Sequence, residues 1–269
     1  MPRGYRDYWV ASDVLEFTSH GYDGYLFDDQ MNKVEFEGYR TDRVTDFALD
    51  FIEKGSKEEK PFFLMLSHIE PHHQNDRDQY EGPEGSKERF KDYQVPRDLQ
   101  DTEGDWRENY PDYLGCCNSL DNNLGRIMDK LEELGIADNT VVIYTSDHGS
   151  HFRTRNGEYK RSCHEASIRI PMIAYGPGFT GGQEISELVS LLDVPSTIMS
   201  AAGVDDPASD VYVEDFLYDL ENDPYEKNNL AEDAGYEDIR EDLASRLKRA
   251  MESAGEETPT ILPYGSEVE

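Results

Sequence analysis

Apolar residues at Val44, Phe47, Ala48, Phe51 and Ile52 recur at steps of three and four, which turns one face of a helix toward a core, and Gly55 supplies the stop. The next apolar stretch has a different texture. Pro61-Phe62-Phe63-Leu64-Met65-Leu66 is short and continuous, the pattern of a strand buried on both faces, and it runs into polar Ser67-His68. Tyr113, Cys117, Leu120, Leu124, Ile127, Leu131 and Leu134 then draw one apolar stripe along a long helix that Gly135 ends. A second buried strand is predicted at Val141-Val142-Ile143-Tyr144-Thr145, a third at Ile170-Pro171-Met172-Ile173-Ala174-Tyr175 and a fourth from Ile185 to Leu192. A helix from Val194 through Ala202 follows.

Around this core the pattern is less regular. Tyr8-Trp9-Val10 and the stretch Gly21 to Tyr25 read as packed loop and short strand, and the polar, proline-punctuated segment from Asn75 to Asn109 as a surface excursion. Phe216-Leu217-Tyr218-Asp219-Leu220 alternates as a strand, Glu221-Asn222-Asp223-Pro224 reads as a turn, and Ile239, Leu243, Leu247 and Met251 mark a final amphipathic helix. Alternating strands and helices predict an α/β fold with a mixed, largely parallel sheet flanked by helices over residues 1–203. A small carboxyl-terminal α+β subdomain is expected over 204–255 and a flexible tail over 256–269.

Charge narrows the partners. Asp and Glu number 58 against 26 Lys and Arg, a formal charge of -32, so neither nucleic acid nor an anionic membrane surface is an expected partner. A high-salt habitat would select the same composition. The field also adds weight to the few cations beside any active site. The 3 cysteines cannot all pair internally, and Cys116 and Cys117 sit side by side on the long helical pattern, so buried thiols are expected rather than a disulfide framework. Cys163 is expected to be a small buried residue. No apolar run reaches the length of a membrane span, and Met1-Pro2-Arg3-Gly4-Tyr5 opens without an export signal, so the chain as written is expected to stay where it is made.

In open α/β sheets ligands gather where strands end. Two strands here end in Ser67-His68-Ile69-Glu70-Pro71-His72-His73 and in Ser146-Asp147-His148-Gly149-Ser150-His151; of the 7 histidines only His20 and His164 fall outside these loops. Asp147 offers a carboxylate and His148 a neutral imidazole to a divalent cation, while Gly149 lets the backbone turn away. Two donors leave most of a Ca²⁺ shell to be filled from elsewhere. An aspartate capping the following turn beside a hydrogen-bonded histidine fits the same spacing.

Downstream, Lys160 is followed by Glu165 and by Arg169-Ile170-Pro171 entering a strand. This pairing with the Ser-Asp-His-Gly loop, the strand and loop from Phe62 to His72, and Leu217-Tyr218-Asp219-Leu220-Glu221-Asn222-Asp223-Pro224 with Asn228-Asn229-Leu230 together resemble the second half of sulfatases, within the alkaline phosphatase superfamily. Each motif alone is weakly specific; in this order they span most of the chain. The resemblance implies a sulfate-ester hydrolase with bound Ca²⁺ or Mg²⁺, a formylglycine hydrate nucleophile made from Cys or Ser, and a small aryl or carbohydrate sulfate as substrate. It implies Asp147 and His148 as metal ligands, Lys160 as the sulfate-binding lysine and His72 as the histidine facing the sulfate or leaving group. His68 and His151 are further candidate substrate contacts with a less firm match. Glu165 and Arg169 read as an ion pair or turn lock.

The departures are as informative. A Cys or Ser followed by x-Pro-x-Arg occurs nowhere in the 269 residues, and neither does the family's early paired-aspartate metal motif. The resemblance puts both ahead of Met1, and relatives have a longer passage between Gly203 and Phe216. The expectation is a truncated chain holding one half of a composite site, inactive alone, whose uncovered sheet edge favours self-association. Full-length relatives are commonly exported, so any leader would have gone with the missing segment. A related phosphodiesterase or phosphonate hydrolase, and a non-catalytic sulfate-ligand binder, are the alternative readings.

Overall fold

A computed structural model describes residues 5, 7–12, 17, 19–179, 181–204, 211–219, 221–223, 228–254 and 258–266. The chain divides into two compact units, Met1–Ile185 and Ser186–Glu269.

In the first unit, helix α1 (Arg40–Gly55) buries Thr41, Thr45, Ala48 and Ile52, the stripe expected from its apolar spacing shifted to include two threonines. Helix α2 (Ser86–Phe90) is short, and α3 (Trp106–Glu133) lies against α1. Polar ties fix their register: Asn123 Nδ2 donates to Asp42 Oδ1 at 2.7 Å, and Arg126 pairs with Asp46. The end of α3 follows from Gly135, whose φ of 68° is open to glycine at little strain. Its N–H donates to the Glu132 carbonyl and that of Ile136 to Leu131, satisfying two of the helix's last carbonyls. Leu131 and Ile136 then enter one core with Ile52, Ala137, Phe62, Leu64 and Val142.

Strands β1 (Val10–Ala11), β2 (Tyr25–Asp28) and β3 (Lys33–Glu35) form an antiparallel sheet in that order. Strand β4 (Val142–Thr145) pairs antiparallel with β5 (Met172–Tyr175), Ile143 opposite Ala174, and the one-turn helix α4 (Glu165–Ile168) precedes β5. A second core of Tyr80, Leu99, Tyr110 and Phe152, flanked by Trp106 and Tyr113, lies beside the loop that leaves β4.

The second unit holds α5 (Asp193–Ala201), β6 (Val211–Val213), α6 (Glu237–Ala254) and β7 (Thr260–Leu262), with β6 and β7 parallel. The mixed α/β class holds, and parallel pairing among the described residues is confined to β6 and β7. No helix among the described residues is long and apolar enough to cross a membrane.

Four expectations are corrected. The Pro61–Leu66 run has no ladder partner among the described residues: Phe62 and Leu64 face the core while Phe63 and Met65 stand 54% and 64% exposed, the alternation of a one-sided strand. Ile185 to Leu192 forms no strand, and its apolar side chains are exposed. Phe216 to Asp219 is also outside any strand, Leu220 lying beyond the described residues. There the Asn229 side chain stands in for a neighbouring strand, accepting from Leu217 N–H at 2.9 Å and donating to the Asp215 carbonyl at 2.9 Å. Finally, part of the expected flexible tail is the paired strand β7, where the alternation of Thr260, Ile261 and Leu262 suits pairing with Val211, Tyr212 and Val213.

Candidate active site

Two loops, leaving the Phe62–Leu66 segment and β4, supply the histidines. The first is anchored from below by Glu70, whose Oε1 accepts from Arg40 Nε at 2.8 Å; both side chains are only 3% exposed, and Arg40 also donates to the Ser19 carbonyl at 2.6 Å. The second is held on two sides. Ser150 Oγ lies 2.7 Å from the Tyr80 hydroxyl, and Gly149 N–H donates to the Ser167 carbonyl at 2.8 Å. Gly149 is needed for contact rather than for a turn, since its φ is not positive and an added Cβ would lie 2.1 Å from the Ala166 carbonyl oxygen.

These anchors bring His72, His148 and Lys160 together. Lys160 Nζ donates to Nε2 of His72 at 3.0 Å and to Nε2 of His148 at 2.9 Å. Each ring is fixed from behind by a carbonyl: His72 Nδ1–H donates to His73 O at 2.6 Å and His148 Nδ1–H to Gly149 O at 2.8 Å. Both imidazoles therefore present an Nε2 lone pair to the cluster, the orientation a ligating histidine needs. Tyr159, buried beside Lys160, puts its hydroxyl 2.9 Å from His72 Nε2 and stacks on His73 with centroids 5.0 Å apart. Among the described residues no carboxylate forms an ion pair with Lys160, although the chain carries 58 Asp and Glu.

Asp147 is exposed, with Oδ2 3.6 Å from His148 Nε2. Its carboxylate and the His148 lone pair are suitable donors for a hard divalent cation, but among the described residues no group of three or more His, Cys, Asp or Glu side chains could hold a metal ion. The pair fits part of a shell and not a whole one.

The other two histidines are placed elsewhere. His68 Nε2 lies 3.0 Å from Thr45 Oγ1, whose hydroxyl donates to the Thr41 carbonyl, so His68 docks on α1. The His151 side chain is 0% exposed, with both ring nitrogens lacking a hydrogen-bond partner among the described residues. Burial holds both imidazoles below the ordinary histidine value of 6.5. They stay neutral in the fold while the unfolded chain takes up protons below about pH 6.5, so each loses stability as pH falls through that value. His68→Gln should therefore lose less stability than the unaltered chain between about pH 7 and pH 5 by urea denaturation. Equal losses would mean that His68 titrates as freely folded as unfolded.

Cys163 is exposed, correcting its expected burial, because it lies in an irregular loop ahead of α4. Cys116 is buried and Cys117 partly so, and burial pushes the Cys117 thiol up to about 11. Glu165, at the start of α4, and Arg169, just past its end, are a solvent-exposed pair at 3.8 Å, too hydrated to lock the loop. Tyr159 carries no periodic signal and was found only through its contact with His72; its place next to Lys160 was the available pointer.

An α/β scaffold here brings a lysine and two pinned imidazoles to one point, on the loops that follow the Phe62–Leu66 segment and β4. A Sulfatase family model matches residues 3–204, and the chain belongs to that family. Arylsulfatase K of Canis lupus familiaris is 42% identical over 91 residues, covering 34% of this chain and 17% of that protein. An arylsulfatase of Clostridium perfringens is 27% identical over 198 residues, 63% of this chain and 39% of that protein. The chain thus matches well under two thirds of the length of these relatives. Among solved structures, a Bacteroides thetaiotaomicron 4S-sulf protein of glycosaminoglycan metabolism superposes with a TM-score of 0.67 at 19% identity, covering 94% of this chain and 66% of that one. A protein solved with its substrate D-glucosamine-2-N,6-O-disulfate gives a TM-score of 0.58 at 19% identity, covering 96% and 78%. These likenesses establish the shared fold.

Proposed function

We propose that this chain carries the sulfate-facing part of a sulfate-ester hydrolase site. The observation that supports the reading most is Lys160, a cation in a strongly acidic chain whose hydrogen-bond partners among the described residues are two imidazoles rather than a carboxylate. An ammonium left without a counter-charge attracts a tetrahedral anion, and the lone pairs beside it orient it without cancelling its charge.

In this reading Lys160 binds the sulfuryl oxygens and neutralises charge as it shifts during S–O cleavage. His72, taking a proton from solvent at Nε2 once the substrate replaces Lys160 there, donates it to the departing alkoxide. Asp147 and His148 would contribute two ligands to a divalent cation, which supplies Lewis acidity toward the sulfuryl oxygens. His68 and His151 serve as supports rather than substrate contacts. The family's nucleophile is a formylglycine hydrate, and the motif that matures to it does not occur within residues 1–269. The substrate class is a small aryl or carbohydrate sulfate, since the chain's charge of -32 disfavours a long polyanion.

The test is hydrolysis of an activated aryl sulfate. This chain alone should turn it over near background, and adding a separately expressed family segment with a matured nucleophile should raise the rate. Robust metal-dependent turnover by the unsupplemented chain would overturn the division of labour.

A further inference from the structure

Helix α6 rests on its own unit by a polar face. Arg240 Nε pairs with Glu214 Oε2 at 3.0 Å and Arg240 Nη1 donates to the Asp233 carbonyl at 2.8 Å, both charged side chains being largely covered. These ties fix the rotation of the helix, with Arg240, Ala244 and Lys248 half-buried at a spacing of four residues. The apolar stripe is thereby turned out: Ile239, Leu243 and Leu247 stand 48%, 46% and 47% exposed, and Ala250 beside them is exposed too. At about 100° per residue these four lie within roughly 80° of one another around the axis. They form one continuous apolar strip, whereas the exposed apolar residues of a monomer are ordinarily scattered. Asp242 and Arg246 border the strip on one side, one turn apart, paired at 2.6 Å and both exposed. Along this stretch Arg240, Arg246, Lys248 and Arg249 outnumber Glu241 and Asp242, so the local charge runs against the -32 of the whole chain.

We infer that α6 is a docking surface for a second copy of this chain, the two helices packing antiparallel through Ile239, Leu243 and Leu247, with Asp242 of each copy beside Arg246 of the other. The charges select this arrangement. A two-fold axis across the strip sets Leu243 against Leu247 of the partner subunit and brings opposite charges together on the bordering side twice over. A parallel pair would instead set Asp242 against Asp242 and Arg246 against Arg246. The 18-residue helix is about 27 Å long, so the contact falls below the roughly 1,200 Å² of a stable complex. The dimer is therefore a weak one, with Kd on the order of 100 µM.

Sedimentation equilibrium of the full chain near physiological salt tests it, since charges more than about 8 Å apart are then screened while paired side chains still interact. The unaltered chain should show a monomer–dimer equilibrium, and a chain that stays monomeric well above the expected Kd would overturn the inference. Leu243→Glu combined with Leu247→Glu should weaken association by more than about tenfold, because each leucine leaves the interface twice. Association unchanged by that pair would belong to another surface, such as a sheet edge, and would also overturn it. Charge reversal tests the orientation. Asp242→Arg alone and Arg246→Asp alone should each dimerise at least about threefold more weakly, because like charges then meet across the axis. An equimolar mixture of these two variants should recover the unaltered affinity, since every pair across the axis is again of opposite sign. A mixture no better than its components would sink the antiparallel register. All four positions are exposed, so the fold should persist, and the mixture reports contact between copies whatever each change does to its own helix.

Discussion

Truncating Glu70 to alanine should cost about 3–5 kcal/mol of folding stability and lower the thermal midpoint by roughly 10 °C. The reason lies in what it leaves behind. Arg40 is 3% exposed and among the described residues its guanidinium would keep the Ser19 carbonyl at 2.6 Å but no carboxylate, so a buried cation would lose its counter-ion. Arg40→Ala should do comparable harm by stranding the Glu70 carboxylate. Replacing both together, with Arg40→Met and Glu70→Leu, should cost much less than either alone, since a buried pair seldom outperforms apolar residues of similar volume. Urea denaturation of the four chains measures the three losses. Single-variant losses under about 1 kcal/mol would show that water reaches the pair.

In the supplemented assay, Lys160→Ala should lower turnover by about 10²–10³-fold, the range seen when one preorganised donor to a developing anion is removed. His72→Ala should fall by about 10² or more, because leaving-group assistance is lost while anion capture persists. The two variants should differ in kind: Lys160→Ala should weaken inorganic sulfate binding as well as turnover, whereas His72→Ala should act mainly on turnover. Unchanged activity in Lys160→Ala would remove the basis for placing the sulfate at this cluster.

Periodic features were the most legible in the sequence. The helices α1 and α3 and the stop at Gly135 follow from local physics, and the structure reproduces them with the buried faces turned to take in polar Thr41, Thr45, Ser119 and Asn123. Strand pairing was less legible, because a ladder partner is a property of the rest of the molecule: Phe62 to Leu66 shows its apolar residues plainly and says nothing of which face will be covered. The short run at Ile185 to Leu192 misled for the same reason. At the site, His72, His148 and Lys160 came from a resemblance in motif order, and the structure brings these three within hydrogen-bond reach. His68 and His151 share their loops but point into helix and interior, a difference that chain position cannot convey. The Asn229 clamp on Leu217 was invisible for another reason: a side-chain amide imitating a strand leaves no pattern in hydrophobicity.

The absence of a Cβ at Gly149 has a mechanical consequence. Because its backbone rests against Ala166 and Ser167, there is no space for even a methyl group between the loop bearing His148 and the turn of α4. That turn keeps Glu165 and Ile168 exposed and Ser167 buried, so a side chain added at Gly149 would strain the packing next to the His148 imidazole and its bond to Lys160.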